Sequence, residues 1–142
     1  MPSTTKFILK PGKLTLADLQ HLLDESTVLE LDTNCIAAIQ HSAKTVAQII
    51  SAGKTIYGIN TGFGSLANTQ INIADLETLQ RSLILSHAAG TGEIFANQIV
   101  RLVLVLKINS LARGFSGVRL QTIFALCRLF NAQIYPCIPS PV

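Results

Sequence analysis

Tyr57 is the residue of this chain that most plainly joins an acid-base group to a backbone built for close approach. It opens Tyr57-Gly58-Ile59-Asn60-Thr61-Gly62-Phe63-Gly64, eight residues with three glycines and no charge. A phenol can serve as a base once its anion is supported, and glycines let backbone N–H groups come near enough to a ligand to give that support. Read alone, the same tyrosine is also a packed aromatic with its hydroxyl on a backbone partner. His87 is the second candidate. It follows Leu76 by eleven residues, three helical turns to within about 20°, so it continues the face of Leu76 and Leu83 and is expected to point inward at a helix end. Its neighbours Ser86, Ala88, Ala89 and Gly90 are small and leave room for a ligand. An imidazole so placed either meets that ligand or settles on a core carbonyl.

Other chemistries are excluded by spacing. Gly53-Lys54-Thr55 lacks the earlier glycine of a phosphate-binding loop, since position 48 is Gln48, and Gly58, Gly62 and Gly64 do not have dinucleotide-binding spacing. His21 and His41 lie on ordinary helical stretches and read as surface residues. Cys35, Cys127 and Cys137 are odd in number and far apart, which suits reduced thiols and predicts no metal site.

Hydrophobic residues form 49% of the 142 and charged residues 13%, too apolar for a disordered chain and thin in polar cover for a free-standing domain. Residues 1–93 hold six basic and all eight acidic groups, whereas residues 94–142 hold five basic groups and no acid. Arg101, Lys107 and Arg113 step by six positions and point in three directions on a helix, so no stripe for nucleic acid arises. These bases are expected to face solvent or carboxylates outside the chain. Arg101 and Lys107 also confine the apolar run between them to Leu102, Val103, Leu104, Val105 and Leu106, far short of the roughly 20 residues of a membrane span. With no export signal either, the expected location is the cytosol. That same run is expected to offer an exposed flank for association.

The elements that must position Tyr57 and His87 are mainly helical. Short strands are expected at residues 7–9 and 28–31, with a helix between them capped by Thr15 and Asp18. Thr33 is expected to cap a helix carrying Ile36, Ile39, Ala43, Val46, Ala47 and Ile50, closed by Gly53. Asp75 is expected to open a helix with Leu76, Leu79 and Leu83 on one side, running to about residue 89 and ended by Gly90. Residues 93–113 are apolar nearly all round, as in the middle of a bundle, and Ser116 is placed to cap a last helix over residues 118–131. Pro136, Pro139 and Pro141 leave the remainder extended.

The segment of residues 57–64 resembles the Tyr-Gly-x-Asn-Thr-Gly-Phe-Gly signature of the aromatic amino acid ammonia-lyases and aminomutases. Leu79-Gln80-Arg81-Ser82-Leu83 and Ser86-His87-Ala88-Ala89-Gly90 resemble the histidine branch of that family in particular. Arg101-Leu102, Lys107-Ile108-Asn109-Ser110-Leu111-Ala112-Arg113-Gly114 and Ser116-Gly117-Val118 are similar to its first long core helix and the turn after it. The resemblance implies a mainly α fold, the amino-terminal part of an L-aspartase/fumarase-like helical bundle enzyme with a few short strands. It makes residues 1–142 the amino-terminal region of one lyase domain, with the central bundle beginning at about residue 93.

The resemblance further implies a homo-oligomer, a tetramer, that removes ammonia from L-histidine to give urocanate. Tyr57 would be the catalytic base, His87 and Gly64 would bind substrate, and no metal would take part. The family's electrophile, methylidene-imidazolone (MIO), forms from an internal Ala-Ser-Gly. That tripeptide is absent from these residues, being expected shortly after Tyr135-Pro136-Cys137-Ile138-Pro139, and the 142 residues alone are therefore expected to be inactive. A tyrosine or phenylalanine ammonia-lyase or aminomutase, and a noncatalytic remnant, are the alternatives.

Overall fold

The computed structural model describes residues 5–64 and 67–140. Residues 1–4, Ser65, Leu66, Pro141 and Val142 lie outside them, so the extended tail expected through Pro141 is described as far as Ser140. The element order is β1 (Thr5–Leu9), α1 (Leu16–Leu22), β2 (Thr27–Leu31), α2 (Ile36–Ser51), α3 (Leu76–His87), α4 (Asn97–Leu111) and α5 (Leu120–Asn131). The fold is mainly helical with one small sheet, as expected.

Thr15 caps α1 reciprocally with Asp18: the Asp18 N–H donates to Thr15 Oγ1 at 3.2 Å and the Thr15 N–H to Asp18 Oδ2 at 2.8 Å. α1 then serves as the crossover that lets β1 and β2 pair in parallel, with Thr5 opposite Thr27 and Leu9 opposite Leu31. The two strands alone leave the outer edge of β2 open. Asn131, the last residue of α5, fills that gap with its side-chain amide: Leu29 N donates to Asn131 Oδ1 at 2.8 Å, and Asn131 Nδ2 donates to Leu29 O at 2.9 Å. Leu9, Leu22 and Leu29 then meet Ile39, Leu104, Val105, Ile108, Ala112, Ile123, Cys127 and Phe130 in one apolar core.

Several helix ends differ from expectation. Asp32, not Thr33, accepts the capping bond, from Asn34 N at 2.9 Å, and Thr33–Cys35 form a single 3-10 turn before α2. The aspartate wins because its carboxylate reaches the turn from one residue earlier. α3 stops at His87, two residues before the expected end. α4 begins at Asn97 rather than near 93, because residues 93–95 are extended and paired with the tail: Phe95 N donates to Ile138 O at 2.9 Å. Ser116 does not cap α5. Arg119 precedes its first residue in extended conformation, and Gly117 is drawn instead onto α2, its N–H donating to Ser42 Oγ at 2.9 Å.

The basic residues of the second half divide into two kinds. Lys107, Arg113, Arg119 and Arg128 are exposed, as expected. Arg101 is neither exposed nor paired with a carboxylate; it is 1% exposed at the centre of the molecule. Nε donates to Leu22 O at 2.7 Å, Nη2 to Asp24 O and Thr27 O at 3.0 and 3.1 Å, and Nη1 to Phe130 O and the Tyr135 hydroxyl at 3.4 and 3.1 Å. Five N–H donors thus meet five acceptors. Leu22 and Phe130 are at the carboxyl ends of α1 and α5, where the helix dipole adds negative potential for the buried cation. The run after Arg101 is likewise only partly a free flank: Leu104 and Val105 are buried in the core, while Val103 and Leu106 are 40% and 47% exposed.

Candidate active site

The Tyr57 loop is organised by two polar residues buried under it. Asn60, 3% exposed, accepts from Ile56 N at 2.8 Å through Oδ1 and donates to Lys54 O at 2.7 Å through Nδ2. The Thr61 hydroxyl, on a residue 1% exposed, donates to Gly62 O at 3.0 Å and accepts from Gly58 N at 3.4 Å. Thr61 also bridges Gln70 in antiparallel fashion, with Gly62 N on Thr69 O at 3.2 Å and Ile71 N on Asn60 O at 2.9 Å. With its polar groups satisfied underneath, the loop holds Tyr57 outward, 64% exposed, with the Phe63 ring edge-on at 5.8 Å. Gly64 follows in the left-handed region at φ +59°, with open space where a β-carbon would stand.

This corrects one expectation about the base. The N–H groups of Gly58, Ile59, Asn60 and Gly62 are all spent inside the loop, the middle two on Ile56 O at 3.1 and 3.2 Å. They brace the tyrosine mechanically and are not aimed at its oxygen.

His87 is exposed, not turned inward as its periodicity suggested. Leu76, Leu79 and Leu83 are half-buried, but α3 contains no fully buried residue, and Ile84 and Leu85 are 66% and 63% exposed. Nothing among the described residues covers the end of this helix, so a residue on its inner face still meets solvent. The ring is nevertheless fixed. Nδ1 lies 2.9 Å from Leu83 O and 3.1 Å from Ser86 Oγ, and Ser86 Oγ itself donates to Leu83 O at 3.0 Å. A carbonyl only accepts, so in the tautomer that makes this bond Nδ1 carries the proton and Nε2 is an acceptor. No hydrogen bond among the described residues joins Tyr57, Gly64 and His87 to one another.

Two cavities among the described residues lie elsewhere. One, of about 580 Å³, runs between β2, α2 and α5 and is lined by Leu31, Ile36, Phe124 and Cys127 among others. A smaller one of about 320 Å³, lined by Ile50, Gly53, Asn60, Gln70, Ile71 and Asn72, is behind the Tyr57 loop. Tyr57 and His87 line neither, and both stand on open surface. Among the described residues no cluster of three His, Cys, Asp or Glu could hold a metal. The cysteines are all unpaired: Cys127 is buried, with its thiol pushed up to about 11 chiefly by desolvation, Cys35 is half-buried and raised for the same reason, and Cys137 is exposed.

The residues missed by sequence reasoning are Arg101 and Tyr135, whose partners come from distant segments, and Asn60 and Thr61, whose loop-bracing role is local. An asparagine and a threonine inside an uncharged glycine-rich stretch are themselves a signal of buried side-chain bonds to the backbone.

Known proteins match along nearly the whole length. The aromatic amino acid lyase family model matches residues 14–141. The histidine ammonia-lyase of Vibrio cholerae serotype O1 is 58% identical over 133 residues, which are 94% of this chain and 26% of that protein. Among solved structures, the histidine ammonia-lyase of Trypanosoma cruzi superposes with a TM-score of 0.87 at 36% identity, over 97% of this chain and 27% of that one. The tyrosine aminomutase of Streptomyces globisporus gives 0.83 at 31% identity, over 89% and 24%. The chain therefore spans about a quarter of the length of the relatives it matches. On the match to its family model and on this shared fold, the chain belongs to the aromatic amino acid lyase family.

Proposed function

We propose that these residues are the amino-terminal region of a histidine ammonia-lyase, which removes ammonia across Cα and Cβ of L-histidine to give urocanate. The observation that carries this reading is the 58% identity to a histidine ammonia-lyase over 94% of the chain. The chemical task is to take a weakly acidic β-proton while an amine departs. Tyr57 takes the proton; its exposure on a loop braced from beneath supports that role. His87 holds the substrate's imidazole: with Nδ1 committed to Leu83 O, Nε2 accepts the N–H of the substrate ring. Gly64, with no side chain, lets the loop lie close to the bound molecule.

The MIO electrophile does not form from the residues present. The nearest candidates, Ser51-Ala52-Gly53 and Phe115-Ser116-Gly117, have the wrong order or first residue. The second of them is also anchored to α2 through Gly117. No step is therefore derived through that group, and this chain's share of the reaction is the proton and the ring. The exposure of Tyr57, His87, Ile84 and Leu85 supports a site completed by further polypeptide; a homo-oligomer, a tetramer, working in the cytoplasm belongs to the same proposal and rests on the family resemblance alone. Among the described residues no helix is long and apolar enough to cross a membrane.

The test is to supply the full-length protein with L-histidine, L-tyrosine and L-phenylalanine in turn. Urocanate absorbance from histidine, with far slower product from the other two, is expected. Preference for tyrosine or phenylalanine would replace the substrate assignment, and no product from any of the three would remove the lyase reading. The 142 residues by themselves are expected to give no urocanate.

A further inference from the structure

α3 carries His87 at its end yet buries none of its own residues fully, so packing among the described residues does not by itself set where that end lies. The loop after it is held from another direction. Ser140 N donates to Glu93 O at 2.6 Å, Phe95 N donates to Ile138 O at 2.9 Å, and Ile94 and Pro139 face each other between these bonds. In the same loop Gly90 lies against the Pro139 ring: a β-carbon at position 90 would stand 3.0 Å from Cγ, 3.3 Å from Cδ and 3.4 Å from Cβ. The space, and not the backbone torsion, favours glycine there, since a β-carbon would make the Pro139 ring give way by a few tenths of an ångström. The tail segment is tied down at its other end as well. Ile134 N closes onto Leu129 O at 3.0 Å, and the Tyr135 hydroxyl accepts from the buried Arg101 at 3.1 Å. An extended strap thus runs from the end of α5 to the loop three residues beyond His87.

We propose that this strap positions the ring-binding histidine: Pro139 seated against Gly90 fixes the loop after α3 and so the place from which His87 meets substrate, which makes Gly90 and Pro139 positioning residues for ring selectivity. The inference rests on the assignment of His87 to the substrate ring. A methyl group at position 90 pushes the strap away and lets the end of α3 shift. The cost falls on binding of a ring that needs Nε2 and spares the proton transfer at Tyr57.

The experiment uses the full-length lyase with Gly90→Ala, Pro139→Ala and the two combined, measuring kcat and KM for histidine and for phenylalanine. Gly90→Ala is expected to raise KM for histidine about tenfold, with kcat within about twofold and little change for phenylalanine. Pro139→Ala removes the Cγ and Cδ that the new methyl would meet, so the double variant is expected within about threefold of wild type. If Gly90→Ala does not fold, Ser140→Pro, which deletes the N–H donated to Glu93, takes its place with the same expected rise in KM. Unchanged KM, an equal loss for both substrates, or no recovery in the double variant overturns the strap while active wild type leaves the lyase reading intact. Wild-type enzyme that ignores histidine overturns the His87 assignment and the strap's role with it.

Discussion

The guanidinium of Arg101 lies 3.8 Å above the ring of Phe130 while donating to the carbonyl of that same residue. One side chain of α4 is thereby tied to both the side chain and the backbone at the end of α5, in addition to α1 and β2. Arg101→Met keeps much of the length but withdraws all five donated bonds, and of the acceptors Asp24 O keeps Thr27 N at 3.0 Å and Phe130 O keeps Gln133 N at 3.1 Å. A loss of about 3–5 kcal/mol in denaturant unfolding is expected, with Arg101→Lys intermediate because an ammonium offers three donors and no planar fork. A methionine variant as stable as wild type would show that the five bonds merely replace those to water.

Gly114 tests the turn between α4 and α5. It sits at φ +79°, and a β-carbon there would come 2.8 Å from Ala38 Cβ and 2.9 Å from the Ala38 carbonyl carbon, which backbone cannot evade. Gly53 has a similar φ of +64° with open space around it. Gly53→Ala is expected to cost about 1 kcal/mol for torsion alone, and Gly114→Ala about 1–3 kcal/mol more for the collision. Equal shifts in the unfolding midpoint would mean that α2 moves freely away from the turn.

Tyr57→Phe in the full-length enzyme is expected to lower kcat by at least about 100-fold with little change in thermal midpoint. The lost hydroxyl is on an exposed residue, and the loop is braced by Asn60 and Thr61. Near-normal kcat would reassign the tyrosine to packing against Phe63.

On the proposed assignment of His87 to the substrate ring, His87→Leu is expected to lower kcat/KM for histidine about 100-fold and for phenylalanine far less, because only the imidazole would lose a hydrogen-bond acceptor. His87→Gln, whose amide oxygen can accept in place of Nε2, is expected to recover part of the loss. Equal losses on both substrates for the leucine variant would make His87 a structural residue.

Cys127 provides a pH test. Burial holds its proton up to about 11 in the folded chain, against an ordinary thiol value of 9.0. Between those values the unfolded chain has released a proton that the folded chain keeps, so stability is lost as pH rises above about 9. The urea midpoint of wild type is expected to fall more steeply from pH 8 to pH 10.5 than that of Cys127→Ala, and parallel curves would contradict the burial argument. Iodoacetamide is expected to modify exposed Cys137 first and Cys127 only on unfolding.

What could be read in the sequence was what neighbours decide. Thr15 and Asp18, three positions apart, close their own cap, and Gly53 ends α2 where the spacing placed it. The Tyr57 loop was recognisable from its own tyrosine and glycines, although the bracing bonds of Asn60 and Thr61, nearly all made within ten residues, were missed. The pairing of β1 with β2 was hidden, because only the strands and not their partners are encoded locally. Arg101 defeated a reading by charge because it is solvated by carbonyls, which every residue has and no composition reveals. His87 misled because periodicity reports which face a helix wants to cover and not whether these residues supply the cover.

The amide of Asn131 that completes β2 lies 102 residues beyond Leu29 in the chain. On a ribosome adding about 5–20 residues per second, the first strands emerge some 5–20 seconds before the side chain that closes their edge. The carbonyls of Leu22, Asp24 and Thr27 wait more than 70 residues for Arg101, and its shell is complete only when Phe130 and Tyr135 follow 29 and 34 residues later. The nascent amino-terminal segment therefore spends that interval with an open strand edge and, for most of it, carbonyls without their cation, the period in which a chaperone or a second nascent chain has its opportunity to bind.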